Sequence, residues 1–138
     1  MNHTPRLIIL NTCWAALVVW ASVLGYTQFV FNGDGSYVSY LIAGILTASV
    51  TATATGRNGR IQDAAAACTA LGFLGTLVGI TLGMSGVDLS ALGSSDGVIQ
   101  AGTSLFSGMA TAFCSTITGA IAAFWLCTVG MVVGVRAW

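Results

Sequence analysis

Long apolar stretches separated by short polar turns run along the whole chain. The first extends from about Leu7 to Phe31 and closes on Asn32-Gly33-Asp34-Gly35-Ser36, a dense cluster of turn formers. The second runs from about Tyr37 to Thr55 and ends at the turn Gly56-Arg57-Asn58-Gly59-Arg60. The third covers about 61–87, a Gly- and Ser-rich segment occupies 88–99, and the fourth runs from about 102 to 135. A helix needs about 20 apolar residues to cross the hydrocarbon core of a bilayer. The pattern therefore predicts an all-α integral membrane protein with four transmembrane helices, a single transmembrane domain over 1–138. The fourth stretch is longer than a bilayer requires at about 1.5 Å per residue. Either its first turns or its last turns are predicted to stand outside the hydrocarbon. No proline follows Pro5, so no helix is predicted to carry a proline kink.

Charge orients this arrangement. The chain has four basic residues, Arg6, Arg57, Arg60 and Arg136, and no lysine. All four fall on one side of the predicted spans, whereas Asp34, Asp88 and Asp96 fall in the loops on the other. Lys and Arg are retained in cytoplasmic loops, so both termini are predicted to be cytoplasmic. Only 6% of the 138 residues are charged, against roughly 25% in a soluble domain. The zero net charge gives no electrostatic footprint for nucleic acid. The first apolar run is too long for a signal peptide and lacks a cleavage site, so it is read as a retained span.

Few groups remain for catalysis. Cys13, Cys68, Cys114 and Cys127 all lie in predicted spans and read as small buried apolar residues. His3 is alone in the N-terminal tail, and no Cys/His spacing resembles a metal site. With no nucleophile–base pair either, the chain is not expected to be an enzyme or to hold a cofactor or metal. Asp63 lies three residues after Arg60, where an interfacial salt bridge or a charge at a helix N-terminus accounts for it. No carboxylate falls in the middle of a span. A proton pathway through this chain would need its titrating group from another chain.

The third and fourth stretches differ from the first two, which are bulky and aromatic. Gly75, Gly79 and Gly83 repeat every four residues, and Gly72 and Thr76 lie beside them. In the fourth stretch Gly108, Ala112, Thr116, Gly119 and Ala123 share one face, and Ser104, Ser107, Thr111, Ser115 and Thr118 share an adjacent polar one. Such small-residue stripes let helix backbones approach in lipid. Their hydroxyls either bond back to their own helix carbonyls or line a polar lumen.

The run Gly72 to Ile80, GFLGTLVGI, resembles the G-L-L-G-T-V-x-G-I signature of the MotA/TolQ/ExbB proton-channel family. Ala112 to Ala123 resembles that family's A-L-x-A-T-A-I-G-L-x-A-A-I-P pattern, and the likeness covers about half of the chain. The resemblance implies pentamers around two single-span partner helices of the MotB/TolR/ExbD type, with H⁺ or Na⁺ flow turning ring and dimer against each other. It implies a bacterial inner-membrane protein in which Thr76 and Thr116 face the lumen near a partner aspartate; Ser115 and Thr111, on the polar face of the fourth stretch, are the further candidates for the ion pathway. The sizeable cytoplasmic domain common in the family is missing here, with Gly56 to Arg60 in its place. Phe124 and Trp125 stand where the second motif usually ends in proline. Two other readings fit a small, charge-poor chain: a holin-like pore that needs no partner, and a structural subunit whose glycines only pack helices.

Overall fold

The computed structural model describes residues 4–57 and 59–134. His3, Asn58 and Arg136 lie outside them, as does the end of the fourth predicted span. Among the described residues the chain is all-helical, with five α-helices and one short 3-10 helix. These are α1 (Thr4–Val23), α2 (Tyr26–Gly33), α3 (Val38–Ala54), α4 (Ile61–Ser85) and α5 (Ser95–Val133), with the 3-10 turn at Leu89–Gly93. Three helices are long and apolar enough to cross a membrane: Pro5–Val23, Ile61–Ser85 and Ser95–Val133. The shorter apolar helix, Val38–Ala54, has 17 residues.

Two predicted boundaries move. The first predicted span, 7–31, is two helices, because Gly25 takes a left-handed conformation (φ 81°) that ends α1 and turns the chain into α2. The Ser22 hydroxyl bridges this break, donating to Thr27 Oγ1 at 2.9 Å. The second change is at the fourth helix, which starts at Ser95 and not near 102. Ser94 caps it by accepting the Gly97 N–H at 3.1 Å, and Asp96 adds a favourable charge in the first turn. Gly134, at φ 80°, ends α5 after 39 residues. At about 1.5 Å per residue the helix is about 58 Å long, roughly twice the hydrocarbon thickness.

Helix α5 is the axis of the fold, and α1, α2, α3 and α4 all pack on it. Its inner half joins α3 and α4 in the main core, where Ile42, Leu126, Val129 and Cys68 are fully buried. The outermost helix is α1, with none of its apolar window buried, against 28% for α4 and 39% for α5. Leu7, Leu10 and Val18 pack it against the core, and a polar-aromatic cluster adds directed contacts. Trp14 and Trp125 stack with ring centroids 5.5 Å apart, Trp125 Nε1 donates to Asn11 Oδ1 at 2.9 Å, and Trp14 Nε1 donates to Thr128 Oγ1 at 3.1 Å.

The two turns of the first three helices mark levels along α5. Between α2 and α3, Thr111 donates to the Gly33 carbonyl at 3.0 Å and accepts the Gly35 N–H at 3.4 Å. At the start of α4, Ile61 packs beside Gly130, so that a methyl on that glycine would stand 3.4 Å from Ile61 Cγ2. About 28 Å of helix axis separates Thr111 from Gly130, and about 24 Å more runs from Thr111 back to Ser95.

Candidate functional site: the α4–α5 hairpin

Helices α4 and α5 meet backbone to backbone along a row of glycines. A methyl placed on Gly79 would stand 2.5 Å from the Ala112 nitrogen and 2.8 Å from the Gly108 oxygen. On Gly108 it would stand 2.4 Å from the Gly83 Cα, and on Gly119 it would stand 2.9 Å from the Gly72 Cα. Gly75 lies against Ser115, whose Oγ would be 2.5 Å from the added carbon. A methyl on Gly83 would stand 3.0 Å from the Gly108 Cα, and one on Gly72 would stand 3.2 Å from the Gly119 Cα. The six packing glycines Gly72, Gly75, Gly79, Gly83, Gly108 and Gly119 thus belong to one interface within the chain. Only residues without a Cβ allow it, which is how small-residue stripes join helices where burial alone gives no driving force.

The four hydroxyl residues singled out for an ion pathway separate into two pairs. Thr76 and Thr116 come together, their hydroxyls within hydrogen-bonding distance along one edge of the hairpin. Thr116 is exposed and Thr76 half-buried. Each also has a carbonyl of its own helix in reach, the Gly72 oxygen 3.0 Å from Thr76 Oγ1 and the Ala112 oxygen 2.8 Å from Thr116 Oγ1, and with one proton apiece one hydroxyl donates to its own helix while the other donates across the pair. Ser115 and Thr111 are not on that edge. Ser115 is fully buried against Gly75, with its hydroxyl on the Ala112 carbonyl at 3.0 Å, and Thr111 is held by the turn between α2 and α3. The helix turns by about 100° per residue, so Ser115 points into the glycine contact with α4 while Thr116 stands on its edge.

The polar stripe of α5 continues outward from Thr111. Ser104 and Ser107 line a groove of about 420 Å³ together with Gly35, Gln100 and Thr111, and Ser104 donates to the Gly86 carbonyl at 3.2 Å. Asp34, next to Gly35 of this groove, is only 3% exposed. It accepts the N–H groups of Ser36 (3.0 Å) and Ser39 (2.6 Å) and the Ser36 hydroxyl, and so closes the turn into α3. Burial pushes its pKa up, but the hydrogen bonds from Ser36 and Ser39 outweigh this and hold it below the usual carboxylate value. The other carboxylates lie at the ends of the hairpin, Asp63 in the first turn of α4, Asp88 before the 3-10 turn and Asp96 in the first turn of α5. Asp63 forms no ion pair with Arg60, so of its two expected roles only the charge at a helix N-terminus has support among the described residues.

Sequence reasoning missed Asn11, whose amide anchors Trp125. A polar residue inside an apolar run was the available signal. The cysteines also divide. Cys68 and Cys114 are buried as expected, but Cys13 and Cys127 are exposed on the surface of the single chain. Searched against family models, curated proteins and solved structures, the chain matches none of them.

Proposed function

We propose that the chain is the channel subunit of an ion-driven rotary membrane motor, a minimal relative of the MotA/TolQ/ExbB proteins in a bacterial inner membrane. In this reading it crosses the membrane four times, and five copies surround two single-span MotB/TolR/ExbD-like helices. The observation that carries it is the Thr76–Thr116 pair on the open edge of a hairpin whose glycines hold the backbones together. With one hydroxyl donating across the pair and the other to its own helix, both oxygens keep a lone pair free to solvate H⁺ or Na⁺.

The two turns support the membrane placement. The 28 Å or so between Thr111 and Gly130 is close to the roughly 30 Å of a hydrocarbon core. Phe31, Tyr37 and Tyr40 cluster at the Thr111 end, as an interfacial aromatic belt would. With the bilayer there, the first turns of α5 lie outside it and carry exposed Val98, Ile99 and Phe106. Lipid does not reach these side chains, and contact with neighbouring copies in a ring covers them. No carboxylate of the described residues lies between the two levels except at their edges, so a partner helix supplies the titrating aspartate.

The competing structural reading has its own support, since each threonine of the pair already has an acceptor in its own helix. Ion flux into proteoliposomes separates the readings. The complex purified with its partner is expected to conduct, and Thr76→Val and Thr116→Val are expected to lower the flux while native mass spectrometry still shows the intact ring. Unchanged flux in both variants would remove the lumen assignment. Flux from the chain alone, in oligomers of no fixed number, would favour a holin-like pore.

A further inference from the structure

A groove of about 240 Å³ runs between α3 and α4 at their inner ends. Ile45, Ala48 and Ala52 of α3 and Ala64 of α4 form its walls, and Arg57 and Arg60 stand at its mouth. Along α3, about 14 Å of axis separates Ile45 from the helix end at Ala54, beside which Arg57 folds back. The groove is therefore long, narrow and apolar, with its charge at one end. Ser49 and Thr53 also line it, but their hydroxyls donate to the Ile45 and Val50 carbonyls, each at 2.7 Å. The guanidinium groups are thus the donors left to a ligand. Both arginines are exposed, and neither forms an ion pair with a described carboxylate. Asp63, the nearest acidic residue in the chain, is not part of the groove.

We infer that this groove binds an anionic phospholipid, with Arg57 and Arg60 holding the phosphate and the α3–α4 walls holding an acyl chain. The inference rests on the membrane placement proposed above. Two guanidiniums present paired N–H donors that match phosphate oxygens. Basic pockets between helices on the cytoplasmic side take anionic headgroups in this way. A soluble anion would satisfy the arginines and leave the apolar groove unfilled. A zwitterionic lipid would fill the groove and bring a cationic headgroup beside two guanidiniums.

The test uses the delipidated full chain in detergent, with lipid retention read by native mass spectrometry. Phosphatidylglycerol and phosphatidylcholine of matched chain length are compared, with inorganic phosphate as competitor. Two arginines near the headgroup predict a preference for phosphatidylglycerol of about thirty-fold. Arg57→Gln with Arg60→Gln is expected to bring that preference close to unity. Ala52→Phe fills the groove without changing charge and is expected to weaken retention of phosphatidylglycerol. Equal retention of the two lipids by the wild type overturns the inference, and so does retention that Ala52→Phe leaves unchanged. Full competition by inorganic phosphate assigns the arginines to a free anion and overturns the lipid assignment. Alkaline carbonate extraction of native membranes keeps the two levels apart. Release of the chain removes the membrane placement itself, whereas a chain that stays in the membrane without lipid preference removes this inference alone.

Discussion

Replacing Gly79 by alanine adds one carbon where α4 lies directly on the α5 backbone. That carbon would stand 2.5 Å from the Ala112 nitrogen, 2.9 Å from the Ala112 Cα and 2.8 Å from the Gly108 oxygen. All three are backbone atoms, so no side chain can rotate away. Relief requires the helices to separate by about 1 Å, and a gap of that size forfeits about a quarter to a half of the dispersion well for each lining atom. Overpacking of this kind costs about 1–3 kcal/mol. Alanine also favours a helix over glycine by about 1 kcal/mol, which works in the opposite direction. Gly44→Ala isolates that second effect, because a methyl on Gly44 of α3 meets nothing within 4 Å. Reversible unfolding in mixed micelles, followed by tryptophan fluorescence, is expected to show Gly79→Ala less stable than wild type and Gly44→Ala equal or more stable. If Gly79→Ala is no less stable than Gly44→Ala, the close backbone contact does not hold the hairpin together.

Asn11→Leu removes the acceptor of the Trp125 indole, and destabilisation of about 1 kcal/mol is expected; a double-mutant cycle with Trp125→Phe should return a coupling of about 0.6–1.7 kcal/mol, and zero coupling would rule out the Asn11–Trp125 bond. Asp34 has a folded-state pKa below its ordinary value of 3.8, so its contribution is fully present above that value and is lost as pH falls through the folded value. Acid titration of stability is expected to show this loss below about pH 4, and Asp34→Asn should be less stable at neutral pH with a flatter acid limb. An unaltered acid limb would show that the turn does not depend on the carboxylate. Thr111→Val breaks both hydrogen bonds to the turn between α2 and α3, and faster hydrogen exchange at Gly35 is the expected readout; unchanged exchange would show that α5 does not hold the turn.

Features set by local chemistry were legible in the sequence, and features set by distant contacts were not. The turn after Asn32 is marked by its own Gly, Asp and Ser residues. The start of α4 after Arg60 follows the return of apolar residues. The glycine stripe of α4 is visible because its period is local to one helix. The break at Gly25 was not visible, since a lone glycine in an apolar run does not reveal its φ. The start of α5 had a local signal in Ser94 and Asp96, but the surrounding Gly and Ser residues read as loop. At the candidate site, the meeting of Thr76 with Thr116 depends on how two helices register against each other. The burial of Ser115 depends on the α4 backbone and that of Thr111 on the turn between α2 and α3, and no periodicity within α5 contains that information.

The glycine interface also has a mechanical consequence. Its contacts pair Gly72 with Gly119, Gly75 with Ser115, and both Gly79 and Gly83 with Gly108. Sliding one helix by a single residue would bring side chains onto the points where only bare backbone fits. With no flexible side chains between them, α4 and α5 have nothing to reshuffle as a shear motion would require. The hairpin therefore moves as one stiff strut. Deformation of the subunit is directed instead to the joints around it, chiefly the left-handed Gly25 between α1 and α2 and the largely exposed α1 itself.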